Sequence, residues 1–234
     1  MSAIHIYLFD LDGTLTDARE GLFSSFRAAL KALRLDELSD KRLELFLGTP
    51  LPEMFRVLKP EISRGEITAG IDAFRTAYET TGIQKNTLYS GVLPMLREIR
   101  RLKRGCWIVT SKPQAYAEQV ATDLGITPFF DGVIGAGLDE NDTKGELVAR
   151  ALQRAAAQGA AFEPSNVLML GDRFYDVVGA LENVVVPVGA LWGYGSREEL
   201  YGAGCRYFVS SPVEFHRRFV GGVVEQTVAD VSHG

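Results

Sequence analysis

The chain has 234 residues, 46% of them apolar and 24% charged, with a net charge of −5. That composition excludes a disordered polypeptide, and the length is enough to bury a core. It also argues against a nucleic-acid polymer as partner, because such binding leans on clustered basic charge. An anionic ligand must be met by local cations or a metal, since the overall field repels it. Cys106 and Cys205 are the two cysteines, which excludes a disulfide framework, and the three histidines form no zinc-binding pattern. No apolar run reaches the ~18 residues of a membrane span and no leader pattern opens the chain, so the expectation is a cytoplasmic protein with no membrane partner.

In chain order, the apolar run from Ile4 to Phe9 predicts a buried strand. Where a crossover of ~30 residues would normally return to the sheet, a longer helical stretch follows. Leu22, Phe23, Phe26, Leu30 and Leu33 share one helix face; Ile67, Ile71, Phe74 and Tyr78 share another, opened by Ser63 and Glu66 as a capping box. Residues 17–83 are therefore expected to form an inserted, all-helical cap, and residues 1–16 with 84–234 the core that carries it. Leu93, Leu96, Ile99 and Leu102 mark the next helix, Cys106 to Thr110 a strand, and Tyr116, Val120 and Leu124 a helix. Gly132 to Ala136 reads as a strand and Leu147, Ala151 and Leu152 as the start of a helix. Val167 to Leu170, Val184 to Gly189 and Arg206 to Val209 read as three further strands. These runs mostly do not alternate, as in strands covered on both faces, and they alternate along the chain with helices. The fold class expected is α/β, a Rossmann-like parallel sheet flanked by helices. Residues 221–234 show little periodicity and are assigned no function.

The first strand runs into Asp10-Leu11-Asp12-Gly13-Thr14. An Asp-Gly step is a common turn signal, and a capping aspartate would need no further explanation. Two carboxylates at the end of a buried strand, however, are costly unless a cation neutralises them. The strand at 167–170 ends in Gly171-Asp172-Arg173-Phe174-Tyr175-Asp176, a second acidic pair. Carboxylates converging at one sheet edge suit a hard divalent cation with oxygen ligands, and Mg²⁺ fits. Thr110-Ser111-Lys112-Pro113 closes another strand, with Pro113 expected in the first turn of the following helix. Thr143 and Glu146 form a second capping box, which puts Lys144 at the first helical position with its charge toward the strand ends.

These four motifs, in this order, resemble the haloacid dehalogenase superfamily of phosphotransferases. Leu191-Trp192-Gly193-Tyr194-Gly195-Ser196 and Phe46-Leu47-Gly48-Thr49-Pro50-Leu51 are similar to its phosphoglycolate phosphatase-like branch. The resemblance implies Asp10 as nucleophile and Asp12 as general acid and base. It implies the side chains of Asp10 and Asp172, with the backbone carbonyl of Asp12 and a contribution from Asp176, as Mg²⁺ ligands. Thr110 and Lys144 would hold the transferring phosphoryl group, with Gly13, Thr14 and Ser111 as further substrate contacts. Thr49 and Arg56 are the cap candidates for specificity, although Arg56 also reads as a surface charge. Lys112 is a second lysine near a strand end; Lys144 is preferred for its place in the order. Gly145 follows Lys144 where relatives often have proline, and Asn183 is expected to take the left-handed cap where relatives often have glycine.

The activity implied is Mg²⁺-dependent hydrolysis of a small phosphorylated metabolite through an aspartyl-phosphate, phosphoglycolate first. A 5′-nucleotidase and a sugar-phosphate mutase like β-phosphoglucomutase are the alternatives. A phospho-acceptor receiver is disfavoured by Asp12 and by the insertion, and a dehalogenase by Asp12. No oligomeric state is read from the sequence.

Overall fold

The computed structural model describes residues 4–138 and 142–221, so all but the first residue of the 221–234 stretch lies outside the described residues. The elements are β1 (Ile6–Phe9), β2 (Thr16–Asp17), α1 (Arg19–Ala32), α2 (Asp40–Glu44), α3 (Leu51–Leu58) and α4 (Arg64–Ala77). There follow β3 (Thr87–Leu88), α5 (Val92–Arg101), β4 (Gly105–Pro113), α6 (Gln114–Asp123), β5 (Gly132–Ala136) and α7 (Lys144–Ala157). The chain continues through β6 (Val167–Gly171), α8 (Phe174–Glu182), β7 (Val186–Ala190), α9 (Arg197–Gly202), β8 (Tyr207–Val209) and α10 (Pro212–Phe215).

Six strands form one parallel sheet in the order β5-β4-β1-β6-β7-β8. All four residues of β1 are buried because both faces are covered. Tyr7 and Phe9 enter one core with Ile108 and Leu170, closed by Leu96 and Ile99 of α5, Val120 of α6 and Phe215 of α10. Ile6 and Leu8 enter the other with Val109 and Met169, closed by Leu147 and Ala151 of α7 and Ala180 of α8. Successive side chains point to opposite faces of a strand, so one unbroken apolar run feeds two cores. This is the Rossmann-like α/β fold read from the sequence.

The inserted helices carry an apolar cluster of their own, built from Phe23, Phe26 and Leu30 of α1, Leu43 of α2, Met54 and Phe55 of α3 and Ile67 of α4. Ser63 and Glu66 make the expected capping box on α4. A feature with no sequence signal lies at the base of the insertion. The outgoing β2 and the returning β3 pair antiparallel, Thr16 opposite Leu88 and Asp17 opposite Thr87. Two residues a side are too few for periodicity to show.

Two local expectations are corrected. Pro113 ends β4 as the N-cap of α6, with φ −50° and ψ 137°, and does not enter the helix. Asn183 has φ −105°, and the left-handed residue is Val184 at φ 59°. The Asn183 amide donates to the carbonyls of Gly145 and Gly179, each at 2.9 Å, which fixes Asn183 and moves the reversal one residue on. A β-branched residue is strained in that conformation.

Candidate active site

Strand register decides which carboxylates meet. Phe9 pairs with Ile108 on one side and Leu170 on the other, so Asp10 and Asp172 leave β1 and β6 at one edge, beside Thr110, which lies within the longer β4. Asp176 follows in the first turn of α8. Asp10, Asp172 and Asp176 are all buried, each offering an oxygen within 4.8 Å of the others. The Thr143–Glu146 capping box starts α7 so that Lys144 is its first residue. Its Nζ lies 2.8 Å from Asp10 Oδ1 and 2.8 Å from Asp176 Oδ1, and it donates to the Val109 carbonyl at 3.1 Å. The close packing of α8 on α7 explains a glycine in place of bulk here. A Cβ on Gly179 would lie 2.8 Å from the backbone of Lys144 and Gly145.

Asp172 is held from two sides. Thr14 Oγ1 donates to its Oδ1 at 3.0 Å, and the Tyr194 N–H donates to its Oδ2 at 2.7 Å. The Trp192 indole donates to the Thr14 carbonyl at 3.0 Å, and the Tyr194 hydroxyl accepts from the Ala18 N–H at 3.0 Å. Segment 192–195 can lie this close only because it alternates aromatic residues with glycine. A Cβ on Gly193 would come within 2.3 Å of Asp172, and one on Gly195 within 2.0 Å of its carbonyl oxygen.

The three carboxylates face one lysine. Burial, and then the Asp10 and Asp176 charges, push Asp172 well above the ordinary carboxylate range. Burial raises Asp176 to about 6 against the pull of Lys144. Burial alone would lower Lys144, but the Asp10 and Asp176 carboxylates outweigh it and hold it above the usual lysine range. A site with three buried acids, one cation and only hard oxygen donors suits Mg²⁺. The Asp12 side chain stands outside this group: its Oδ1 accepts from Thr16 Oγ1 at 3.3 Å and its Oδ2 pairs with Lys112.

This crowding has a consequence for stability. Folded Asp176 releases its proton near pH 6 rather than at the ordinary 3.8, so its stabilising contribution is complete below about pH 4 and is lost as pH rises through 6. Between pH 5 and pH 7 the loss from this group amounts to roughly 1 kcal/mol. A divalent cation on the carboxylates should cancel it. The expected result is that Mg²⁺ raises the melting temperature of EDTA-treated protein more at pH 7 than at pH 5. An increment equal at both pH values, or larger at pH 5, would contradict the assignment.

A cavity of about 540 Å³ lies over Asp10, between the strand ends and the inserted helices. Asp12, Thr110, Ser111, Lys144, Asp176 and Thr49 line it. Arg56 does not: it is an exposed residue of α3, turned away from the cavity. Thr14 is fully buried, donates its hydroxyl to Asp172 and does not line the cavity, so it braces the site from beneath. Gly13 donates its N–H to the Thr16 carbonyl at 2.7 Å and shapes the loop in the same way.

Two cations of the cavity were not singled out by sequence reasoning. Arg173 follows Asp172 directly; it donates to Glu199 at 2.8 Å and also to the Leu47 carbonyl in the inserted segment. Arg75 of α4 donates to the Leu138 carbonyl. The local sequence carries no signal for either, because both partners are remote. Trp192 and Tyr194 had one: glycines alternating with aromatic residues mark a segment packed against something.

A parallel sheet with acids and a lysine gathered at the ends of its central strands is the architecture of a phosphoryl-transfer hydrolase. The model of the haloacid dehalogenase-like hydrolases matches residues 7–189, and the chain belongs to that family. Over 194 residues it is 34% identical to a 5′-nucleotidase of Pseudomonas aeruginosa, covering 82% of this chain and 85% of that one. It is 32% identical to the tyrosine-protein kinase PtkA of Mycobacterium tuberculosis over 81% of its own length, and spans 63% of that protein. It is 26% identical to a phosphoglycolate phosphatase of Vibrio cholerae, with 87% and 91% of the two chains covered. Among solved structures, one described as a predicted phosphatase from Clostridium acetobutylicum superposes with a TM-score of 0.83 at 31% identity, over 92% of this chain and 97% of that one. The protein is an enzyme, a phosphoric monoester hydrolase. Among the described residues no helix is long and apolar enough to cross a membrane.

Proposed function

We propose that the chain is a Mg²⁺-dependent phosphomonoesterase that works through an aspartyl-phosphate and prefers a bulky, flat, uncharged leaving group. The preference rests on one observation, the lining of the cavity. Phe26, Phe74, Tyr78, Tyr116, Phe174, Tyr175 and Tyr194 all face it. The four cations that line it are each held by the protein: Lys144 by Asp10 and Asp176, Lys112 by Asp12, Arg173 by Glu199 and Leu47, and Arg75 by Leu138. Phosphoglycolate, the substrate the motif resemblance implies, carries a carboxylate that needs a cation of its own. A mutase handling a bisphosphate needs the same. A nucleoside monophosphate needs apolar and aromatic surface beyond its phosphate, and this cavity supplies that.

In this reading Asp10 attacks phosphorus while Asp12 gives a proton to the departing oxygen. Asp12 then takes a proton from the water that cleaves the acyl phosphate and regenerates Asp10. Lys144, beside Asp10 and buried with it, balances charge on the phosphoryl oxygens, and Thr110 and Ser111 offer hydroxyls at the adjoining strand end. The carboxylates of Asp10, Asp172 and Asp176, with the backbone carbonyl of Asp12, would hold Mg²⁺. When bound, the ion would neutralise phosphoryl charge. The inserted helices, residues 17–83, act as a cap that excludes water during the transfer. Reduced, buried Cys106 and Cys205 accord with a cytoplasmic enzyme acting on small metabolites.

A phosphate-release panel tests the proposal. With Mg²⁺, kcat/KM for nucleoside monophosphates is expected to exceed that for phosphoglycolate by about 10-fold or more, the scale of one well-used apolar contact surface. EDTA should abolish turnover and Mg²⁺ restore it. Phosphoglycolate as the best substrate would overturn the preference, and turnover in EDTA would remove the metal from the reading.

A further inference from the structure

Arg173 and Glu199 form an ion pair at the cavity that the proposed chemistry leaves without a task. Glu199 stands third in α9, three residues after the N-cap Ser196, whose hydroxyl accepts from the Glu199 N–H at 3.1 Å. Ser63 with Glu66 and Thr143 with Glu146 have the same spacing, and in both the glutamate folds back on the N-cap backbone. The Glu199 carboxylate instead reaches across to α8, where its Oε1 accepts from Arg173 Nε at 2.8 Å and from the Phe174 N–H at 3.0 Å. Arg173 lines the cavity and Glu199 stands behind it, outside the lining. The guanidinium lies beneath the inserted segment: it donates to the Leu47 carbonyl, and a Cβ on Gly48 would come within 2.7 Å of it. The Arg173 charge is thus fixed at the cavity wall and balanced from the far side. Lys144 and Lys112 are balanced by carboxylates of the reacting set, Arg173 by one that takes no part in it.

We propose that Glu199 is a specificity-determining residue that acts through Arg173: by cancelling the Arg173 charge it withholds from the cavity a cation that an anionic leaving group needs. A carboxylate that enters the cavity gives up water, and a cation already engaged by another carboxylate returns little for that loss. Without the charge of its partner, the same guanidinium, its donors set in a planar fork, attracts a carboxylate. The plainer alternative is a helix cap and ion pair that stabilise the start of α8 and leave substrate choice alone.

Glu199→Gln separates the two, because glutamine keeps an acceptor for Arg173 and Phe174 and deletes only the charge. The matched probes are phosphoglycolate and ethylene glycol monophosphate, whose leaving groups differ by a carboxylate against a hydroxymethyl group. In the parent, kcat/KM should favour the hydroxymethyl compound. Glu199→Gln is expected to raise the ratio of phosphoglycolate to ethylene glycol monophosphate by roughly 5-fold or more at low salt, the scale of one unit charge at the edge of a cavity. The gain should lie in KM, since the carboxylate is charged alike in the ground and transition states, and it should shrink at high salt. Adding Arg173→Gln to Glu199→Gln should remove the gain; a gain that persists overturns the link through Arg173. If Glu199→Gln does not fold, as judged by its melting curve, Arg173→Gln carries the comparison with the opposite sign, because it leaves the Glu199 charge unbalanced. An unchanged ratio, whether both rates fall or neither does, overturns the specificity role. The inference rests on the preference for an uncharged leaving group proposed above, which the parent enzyme tests by itself. Phosphoglycolate as the best substrate of the parent sinks that reading, whereas an unchanged ratio in Glu199→Gln sinks this inference alone.

Discussion

Replacing Asp10 by Asn should abolish phosphate release from every substrate while leaving the fold intact. Removing the group that forms the covalent intermediate costs on the order of 10⁴–10⁶ in turnover, because no other side chain can complete the first step. Asp12 cannot stand in, since its carboxylate is turned toward Lys112 and Thr16, and Asp176 is tied to Lys144. Asparagine matches aspartate in shape and removes a charge that crowds Asp172 and Asp176, so the melting temperature should hold or rise. Rates from a phosphate-release assay, with circular dichroism to confirm folding, decide the point. Turnover within 10-fold of the parent would end the nucleophile assignment for Asp10, against the much larger loss expected for a true nucleophile.

The second large effect is expected at Lys144, on activity and stability together. Its side chain is 4% exposed and lies between Asp10 and Asp176. Lys144→Met keeps the volume and deletes the charge, leaving Asp10, Asp172 and Asp176 with no ammonium beside them. Breaking a buried ion pair from one side costs about 3–5 kcal/mol. In a chain of this size each kcal/mol is worth roughly 2–4 °C in melting temperature. Asp176, raised by burial to about 6 even with Lys144 present, would rise further and bind a proton instead of staying charged. The melting temperature should therefore fall more at pH 8 than at pH 5.5, and Mg²⁺ should recover part of the loss at pH 8. Turnover should drop by about 10²–10³-fold, the cost of one charge-stabilising donor at a phosphoryl centre. A variant equally stable at both pH values and still active would show that Lys144 is not the cation of this cluster.

Much of this site was legible along the chain, for a reason that can be stated residue by residue. Asp10, Thr110 and Asp172 each end an apolar run, and a parallel sheet places the ends of its strands along one edge. Lys144 was legible through its capping box, which set both the start of α7 and the direction of its first side chain. A run of helices between β1 and β4 could be read from the long gap with two amphipathic stretches inside it. Thr14 was misread because its neighbours in sequence are site residues, whereas its hydroxyl is directed inward to Asp172, 158 positions away. Arg56 was misread for the opposite reason: a cation in the inserted segment reads the same whether its helix face meets the cavity or the solvent.

The sequence by itself determined the layering of the fold, the buried strands and the identity of the acids at their ends. Those properties depend on local periodicity and on runs of like residues. Only the tertiary structure decided which carboxylates share a cation, that Asp12 turns to Lys112 while Asp10 turns to Lys144, and that segment 192–195 clamps Asp172. It also decided that the cavity is walled by aromatic rings drawn from α1, α4, α6 and α8. The polar contacts among these join residues 22, 100 and 134 positions apart, set by sheet register and helix packing, and no local pattern encodes a distance between remote side chains.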